Sequence, residues 1–184
     1  MDIFSSSLRY GAIARSLHWA TVLLVVVAWL LGIVGDALPG KPAQAIGLFV
    51  HMTAGLLVIL LTAMRLVWRG VDSAPTEDVA TTALARWTLL AARATHLCLY
   101  GLLIVAPLIG IGVQFARGHA LPVFGLFEVA SPWLADRAFA NTLKEFHELL
   151  SHALMAVAFL HGAAAMLHHW VLHDRTLLRM LPER

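Results

Sequence analysis

The chain has 184 residues, of which 60% are hydrophobic and only 13% charged, with 13 Lys and Arg against 11 Asp and Glu. Such a composition lies outside the soluble-domain range, and charges that nearly cancel exclude a nucleic-acid footprint and a charged disordered tail. The single cysteine, Cys98, can form neither an internal disulfide nor a cysteine-based zinc site, while ten histidines in so apolar a chain require a physical reason.

Four stretches carry no Asp, Glu, Lys or Arg: 16–35, 42–64, 94–116 and 149–173. Each reaches the roughly 20 helical residues that cross a hydrocarbon core. Period-2 alternation is absent, so the segments read as helices and not as strands of a barrel. They are apolar all round, which leaves no face for water and disfavours four buried helices of a soluble bundle. The opening MDIFSSSLRYGAIAR contains Asp2, and the apolar run beyond Arg15 is too long for a cleavable leader, so it is expected to stay attached as the first span. Pro39, Gly40 and Pro42 mark a short turn before the second span. PTEDVATTALARW reads as a loop capped by Thr76, and Pro107 is expected to bend the third span. The connection from Arg117 to Lys144 is longer, and its GHALPVFGLFEVASPW stretch is apolar enough to lie on the membrane surface. The fold class expected is an all-α integral membrane protein, a four-transmembrane-helix bundle. Residues 1–184 form one membrane domain in this reading, with helices over about 14–35, 44–68, 92–116 and 146–172. Trp19, Trp68, Trp87, Trp133 and Trp170 fall near helix ends and read as interfacial anchors.

Basic residues orient the bundle. Arg9, Arg15, Arg65, Arg69, Arg86, Arg93, Arg175, Arg179 and Arg184 fall on one side, and only Lys41, Arg117, Arg137 and Lys144 on the other. Both termini are therefore expected in the cytoplasm.

Histidines at membrane depth are expensive and by default face a partner inside the protein. His147 and His161 are fourteen residues apart, which puts them on nearly one face of the fourth helix about 21 Å apart in depth. Topology sets His147 level with His51 at the outer side and His161 level with His18 at the inner side. Two cross-helix pairs suit the two axial positions of a b-type haem, whereas zinc asks for three or four ligands converging at one depth. Gly55, Gly162 and the alanines after it thin the helices where a flat ring would fit. The competing reading makes each histidine a buried hydrogen-bonding residue. Arg65, fourteen residues after His51, either neutralises haem propionates at the inner level or snorkels from the end of its helix. His96 is an alternative to His18 as a ligand or an interfacial residue, and His152 is expected to face away from His147.

SLHW, FVHMTAGLLVILLTAMRLVWR, APLIG and KEFHELLSHALMAVAFLHGAAAMLHHWVLHDRTLLRMLP resemble, in order and spacing, the small bacterial cytochrome b-561 proteins over nearly the whole chain. The pattern is nearest to the single-subunit members that act as superoxide oxidases. That resemblance implies an inner-membrane protein holding two haem b groups, with ligands at His18, His51, His147 and His161, which passes electrons from periplasmic superoxide to ubiquinone. Haem-bearing anchors of larger redox complexes share the family, so an electron-relay or membrane-anchor subunit serving a redox protein partner is the alternative.

Superoxide chemistry asks for a positive field at the outer end, for which Lys41, Arg117, Arg137 and Lys144 are the candidates. Each reads equally as a solvated loop charge set against Asp36, Glu128, Asp136 and Glu145. A quinone asks for hydrogen-bond donors and proton access. His168, one heptad beyond His161, is the main candidate, with His169 and Arg93 beside it. These residues read otherwise as interfacial neighbours of Trp170.

Overall fold

The computed structural model describes residues 3–6, 9–72 and 83–181. Four long helices run α1 Ala12–Val34, α2 Gly40–Val71, α3 Ala83–Ala116 and α4 Arg137–Trp170. All four are long and apolar enough to cross a membrane. In hydrocarbon a segment must satisfy its own backbone, so β-branched runs such as Val25–Val27 stay helical despite their modest helix propensity. A 3-10 turn at Gly35–Ala37 joins α1 to α2, and a small antiparallel hairpin, β1 Leu121–Val123 with β2 Phe127–Val129, lies between α3 and α4.

The helices overrun the uncharged stretches. α3 begins at Ala83 and α4 at Arg137, nine residues before the boundaries at 92 and 146 that charge suggested. Charge marks where a chain leaves hydrocarbon, while a helix continues until a cap ends it. For α4 that cap is Asp136, whose side chain accepts from the Phe139 amide at 3.0 Å. The segment 83–87, read from sequence as loop, is the first turn of α3. Thr76 lies outside the described residues.

α1 packs along α2 and α3 along α4 as antiparallel pairs, and the pairs meet chiefly through α2 and α3. Side chains bridge the α1–α4 seam, where the Trp29 indole N–H donates to His152 Nδ1 at 3.2 Å. At mid-depth Val58, Leu103 and Leu154 are buried, with Leu24, Val25, Leu99 and Leu102 packed against them. This apolar layer drawn from all four helices separates the histidines at one end of the bundle from those at the other. Exposed Leu23, Val67, Leu97 and Phe159 surround it, the inside-out pattern expected of a lipid-facing surface.

The described residues before α1 and after α4, with the last turn of α2 and the first of α3, share one end of the bundle, the terminal end. The α1–α2 turn and the β hairpin share the other, the hairpin end. Two straps close the terminal end. In the first, Ser5 donates to Asp72 from its amide at 2.9 Å and from its hydroxyl at 2.6 Å, and the Trp68 indole donates to the same carboxylate at 3.2 Å. Phe4 stacks on Trp68 with ring centroids 5.5 Å apart. In the second, buried Arg15 donates to the Leu181 carbonyl and Trp19 to the Met180 carbonyl. Trp19 and Trp68 are thus tied to the straps as well as lying near helix ends.

Burial alone raises the Asp72 carboxyl, but the hydrogen bonds from Ser5 and Trp68 outweigh it and hold the group below its ordinary value. A carboxylate depressed in the folded state contributes stability above its unfolded pKa, and loses it as pH falls through the folded value. Acidification below the usual carboxylate range should therefore release the first strap, and Asp72→Ala should release it at neutral pH. Hydrogen exchange at the Ser5 and Gly11 amides is the measurement, and unchanged protection in Asp72→Ala would contradict the assignment.

Candidate functional site

Toward the hairpin end, His51 of α2 and His147 of α4 face each other across the bundle, with ring centroids 5.9 Å apart and planes at 84°. Each ring is held by the helix beside its own. His51 Nδ1 lies 2.8 Å from the Ala28 carbonyl on α1, and His147 Nδ1 lies 2.8 Å from the Ala106 carbonyl on α3. A carbonyl oxygen can only accept, so in both rings Nδ1 carries the hydrogen and Nε2 keeps its lone pair. Leaving such an N–H unpaired at this depth would cost about 1–3 kcal/mol.

The notch that admits each ring is the same on both sides. Gly32 lies four residues after Ala28, and a Cβ there would stand 3.4 Å from His51 Cε1. Gly110 lies four residues after Ala106, and a Cβ there would stand 3.0 Å from His147 Cε1. An alanine offers the carbonyl and a glycine one turn on gives the ring its space. The glycines that receive these imidazoles are therefore Gly32 and Gly110. Gly55, singled out from sequence, faces Pro107 instead, and Gly162 faces open space.

Toward the terminal end the arrangement differs. His161 of α4 has its ring contact with His96 of α3, at 5.2 Å between centroids, while His18 of α1 has its Nδ1 3.3 Å from Arg65 Nη2. Sequence paired His18 with His161. The structure gathers His18, Arg65, His96 and His161 at one level but gives the ring contact to His96. A guanidinium can only donate, so His18 Nδ1 is an acceptor in this arrangement and its Nε2 carries the hydrogen. Arg65 also lies over the Tyr100 ring at 5.5 Å. Among the described residues no carboxylate pairs with it. Thr62, one turn earlier on α2, is fully buried with its hydroxyl unpartnered. A cavity of about 70 Å³ opens at this level, lined among others by Tyr10, Arg65, Trp68, His96 and Tyr100. His96 is the residue whose place sequence reasoning underrated, and its position one turn after Arg93 on an apolar helix was the available signal.

Beyond this level, His168 Nδ1 contacts the Asp174 carboxylate, and His169 tilts against Trp170 at 6.5 Å. Arg93 lies exposed on α3. At the hairpin end Lys144 is paired with Glu148 at 3.3 Å, while Lys41 donates to the neutral amide of Gln44 and keeps its charge. The Asp136 amide donates to the Ala116 carbonyl, which brings the chain at Arg117 beside the chain at Arg137. His152 takes the Trp29 hydrogen bond and does not join His147.

Among the described residues no three His, Cys, Asp or Glu side chains form a metal cage. Two imidazoles sharing one metal at about 2 Å each, with each ring nitrogen about 1 Å from its own centre, need centroids about 6 Å apart. The 5.9 Å of His51 and His147 meets that requirement. Their fixed tautomers, the Arg65 cation that meets no carboxylate among the described residues, and the buried Thr62 hydroxyl also fit a haem with anionic propionates. At the terminal level the residue types fit, with Arg65 standing on the His18 nitrogen.

A multi-pass bundle that pairs imidazoles across its interior defines a membrane-embedded, haem-bearing electron carrier. The chain belongs to the prokaryotic cytochrome b561 family, whose model matches residues 9–183. It is 32% identical over 176 residues to a probable superoxide oxidase, CybB, of Yersinia pestis, covering 96% of this chain and 97% of that one. It is 30% identical to cytochrome b561 homolog 2 of Escherichia coli K12, covering 98% and 95% of the two chains. It is 27% identical to a cytochrome b562 of Cereibacter sphaeroides, covering 95% and 96%. The protein is thus a membrane redox protein of a haem b family, in contact with lipid along its four spans.

The notch at Gly110 is tighter than that at Gly32. Gly110→Val should displace the His147 ring and lower haem content measured by absorbance after extraction, while Gly32→Ala should leave it close to wild type. Equal haem content in Gly110→Val and wild type would show that the notch does not seat the ligand.

Proposed function

We propose that this protein is a dihaem superoxide oxidase of the bacterial inner membrane, oxidising superoxide at the hairpin end and reducing ubiquinone at the terminal end. The observation that carries the redox reading is the His51–His147 pair, each Nδ1–H on a carbonyl and each Nε2 available to iron. The name of the Yersinia pestis relative supports the substrate.

His51 and His147 would hold one haem, and His18 and His161 the second, with Arg65 the cation at that level that would balance a propionate. Bound haem b supplies a one-electron couple, suited to joining a one-electron donor to a two-electron acceptor. Two superoxide anions give up one electron each and leave as dioxygen, and a quinone takes the two electrons with two protons to become the quinol. The chain's own residues orient and charge-balance these events. Leu103, Val58 and Leu154 exclude water from the middle of the bundle. Arg65 supplies fixed positive charge at the terminal level, and Tyr100 and His96 offer polar hydrogens along the cavity there. His168 is the proton donor we assign to the quinone, with His169 and Arg93 as neighbouring contacts. Arg117, Arg137 and Lys41 are the cations we assign to attract superoxide, with the charge of Lys144 offset by Glu148. The sequence excess of nine basic residues over four supports a cytoplasmic terminal end.

Glu148 offsets Lys144, and Asp36, Glu128, Asp136 and Glu145 fall on the same side, which leaves a thin positive field and favours the second reading, an electron-relay or anchor subunit that docks a redox partner. Purified protein mixed with a superoxide source and ubiquinone separates the two. Superoxide oxidation requires fast haem reduction and quinol formation that superoxide dismutase suppresses. Reduction indifferent to the dismutase would exclude superoxide as donor. In the same preparation, His51→Ala and His147→Ala should each remove the same half of the haem absorbance, and His18→Ala and His161→Ala the other half. Loss of a single common haem in all four variants would overturn the two-site assignment.

A further inference from the structure

α4 does not simply end after Trp170. The Val171 and Leu172 amides both bond to the Leu167 carbonyl, and the Asp174 amide reaches back to the His168 carbonyl at 3.1 Å. Between them His173 takes φ 52°, in the left-handed region that a residue with a Cβ rarely adopts. A non-glycine residue held there is strained and persists only where its surroundings impose it. The consequence of this turn is specific. It folds Asp174 back over the last turn of α4, so that Oδ2 meets His168 Nδ1. The other oxygen, Oδ1, accepts the Thr176 amide at 2.8 Å. A carboxylate held at both oxygens is not free to follow the ring, so the ring is held to it.

From this geometry we infer that Asp174 is a positioning residue for His168, with the strained turn at His173 as the backbone device that presents it. The inference rests on the reading of His168 as proton donor to the quinone. With Asp174 accepting from Nδ1–H, Nε2 is the atom left to exchange protons. When His168 is charged, Nε2–H passes to a quinone oxygen as the quinone takes up two electrons from two one-electron donors. The ring is then neutral, still donating Nδ1–H to Asp174, and Nε2 recovers a proton from water at the terminal end. The second proton of the quinol comes by a repeat of the same cycle. Asp174 does not lose its own charge; it fixes the tautomer and balances the imidazolium, the part a carboxylate plays beside a general-acid histidine. Burial alone raises the Asp174 carboxyl, but the hydrogen bonds from His168 and Thr176 outweigh it and keep the group below its ordinary value, in keeping with a carboxylate that stays ionised.

The test uses the full-length, haem-loaded protein in detergent, reduced beforehand and mixed with a short-tailed ubiquinone while haem absorbance reports re-oxidation. Asp174→Asn should slow re-oxidation at saturating quinone about tenfold or more, with little change in the quinone concentration for half-maximal rate. His168→Gln should be slowed at least as much, and the double variant no further, because the two side chains act as one unit. Asp174→Glu should recover most of the rate. A readout independent of turnover is the nitrogen NMR signature of His168, assigned by its loss in His168→Gln. Wild type should be protonated at Nδ1 when neutral, and Asp174→Asn should shift toward the other tautomer. If Asp174→Asn re-oxidises like wild type while His168→Gln is slow, the role of Asp174 is wrong and that of His168 stands. If His168→Gln is as fast as wild type, both fall. Should Asp174→Asn fail to assemble, a wild-type His168 protonated at Nε2 alone would itself overturn the inference.

Discussion

An imidazole placed in hydrocarbon must give its N–H to something, and in this protein the choice of acceptor decides the chemistry. His51 and His147 each spend Nδ1–H on a main-chain carbonyl of the helix alongside. That removes the unsatisfied donor and leaves a lone pair on Nε2, the form in which histidine binds a metal. Protein interiors rarely offer a carbonyl to a side chain from another helix, because the carbonyl already serves its own helix and is shielded by the residue a turn ahead. Ala106 can do so because Gly110 stands one turn on, where a Cβ would come within 3.0 Å of the His147 ring; Gly32, one turn after Ala28, leaves the His51 ring more room.

The rest of the architecture follows from keeping two such notches in register. α1 with α2, and α3 with α4, pack as pairs in which one helix supplies the histidine and the other the carbonyl. The two pairs touch mainly through α2 and α3, and the opposite seam is bridged by side chains such as Trp29 and His152. The apolar layer of Val58, Leu103 and Leu154 then keeps the two histidine levels apart. At the terminal end, where polar groups gather around Arg65, the straps anchored on Asp72 and Arg15 close the bundle over the cavity.

Much of this was legible in the residues. Uncharged runs located the spans because charge is excluded from hydrocarbon, and the fourteen-residue spacing of His147 and His161 put two imidazoles on one face of α4. Helix ends were not legible from charge, since α3 and α4 begin nine residues before the boundaries at 92 and 146 that charge suggested. The Ala28–Gly32 and Ala106–Gly110 notches are visible only once it is known which helices are neighbours, because small residues four apart are common in membrane helices for packing alone. Pairing at the terminal level was set by depth, which cannot tell His18 from His96; in the structure Arg65 touches His18 and the His161 ring meets His96. The Ser5–Asp72 and His168–Asp174 contacts were hidden for different reasons. The first joins residues far apart in the chain, and the second depends on a left-handed residue that nothing in the local sequence marks as a turn.

We propose that His51 and His147, whose ring planes stand at 84°, would hold one haem iron between them. Electron paramagnetic resonance of the oxidised, purified protein reads this directly, because the mutual angle of two axial imidazoles governs the anisotropy of a low-spin ferric signal. A strongly anisotropic low-spin signal that disappears in His51→Ala and in His147→Ala is the expected result. A high-spin signal at that site, or a signal of parallel imidazoles insensitive to both substitutions, would contradict it.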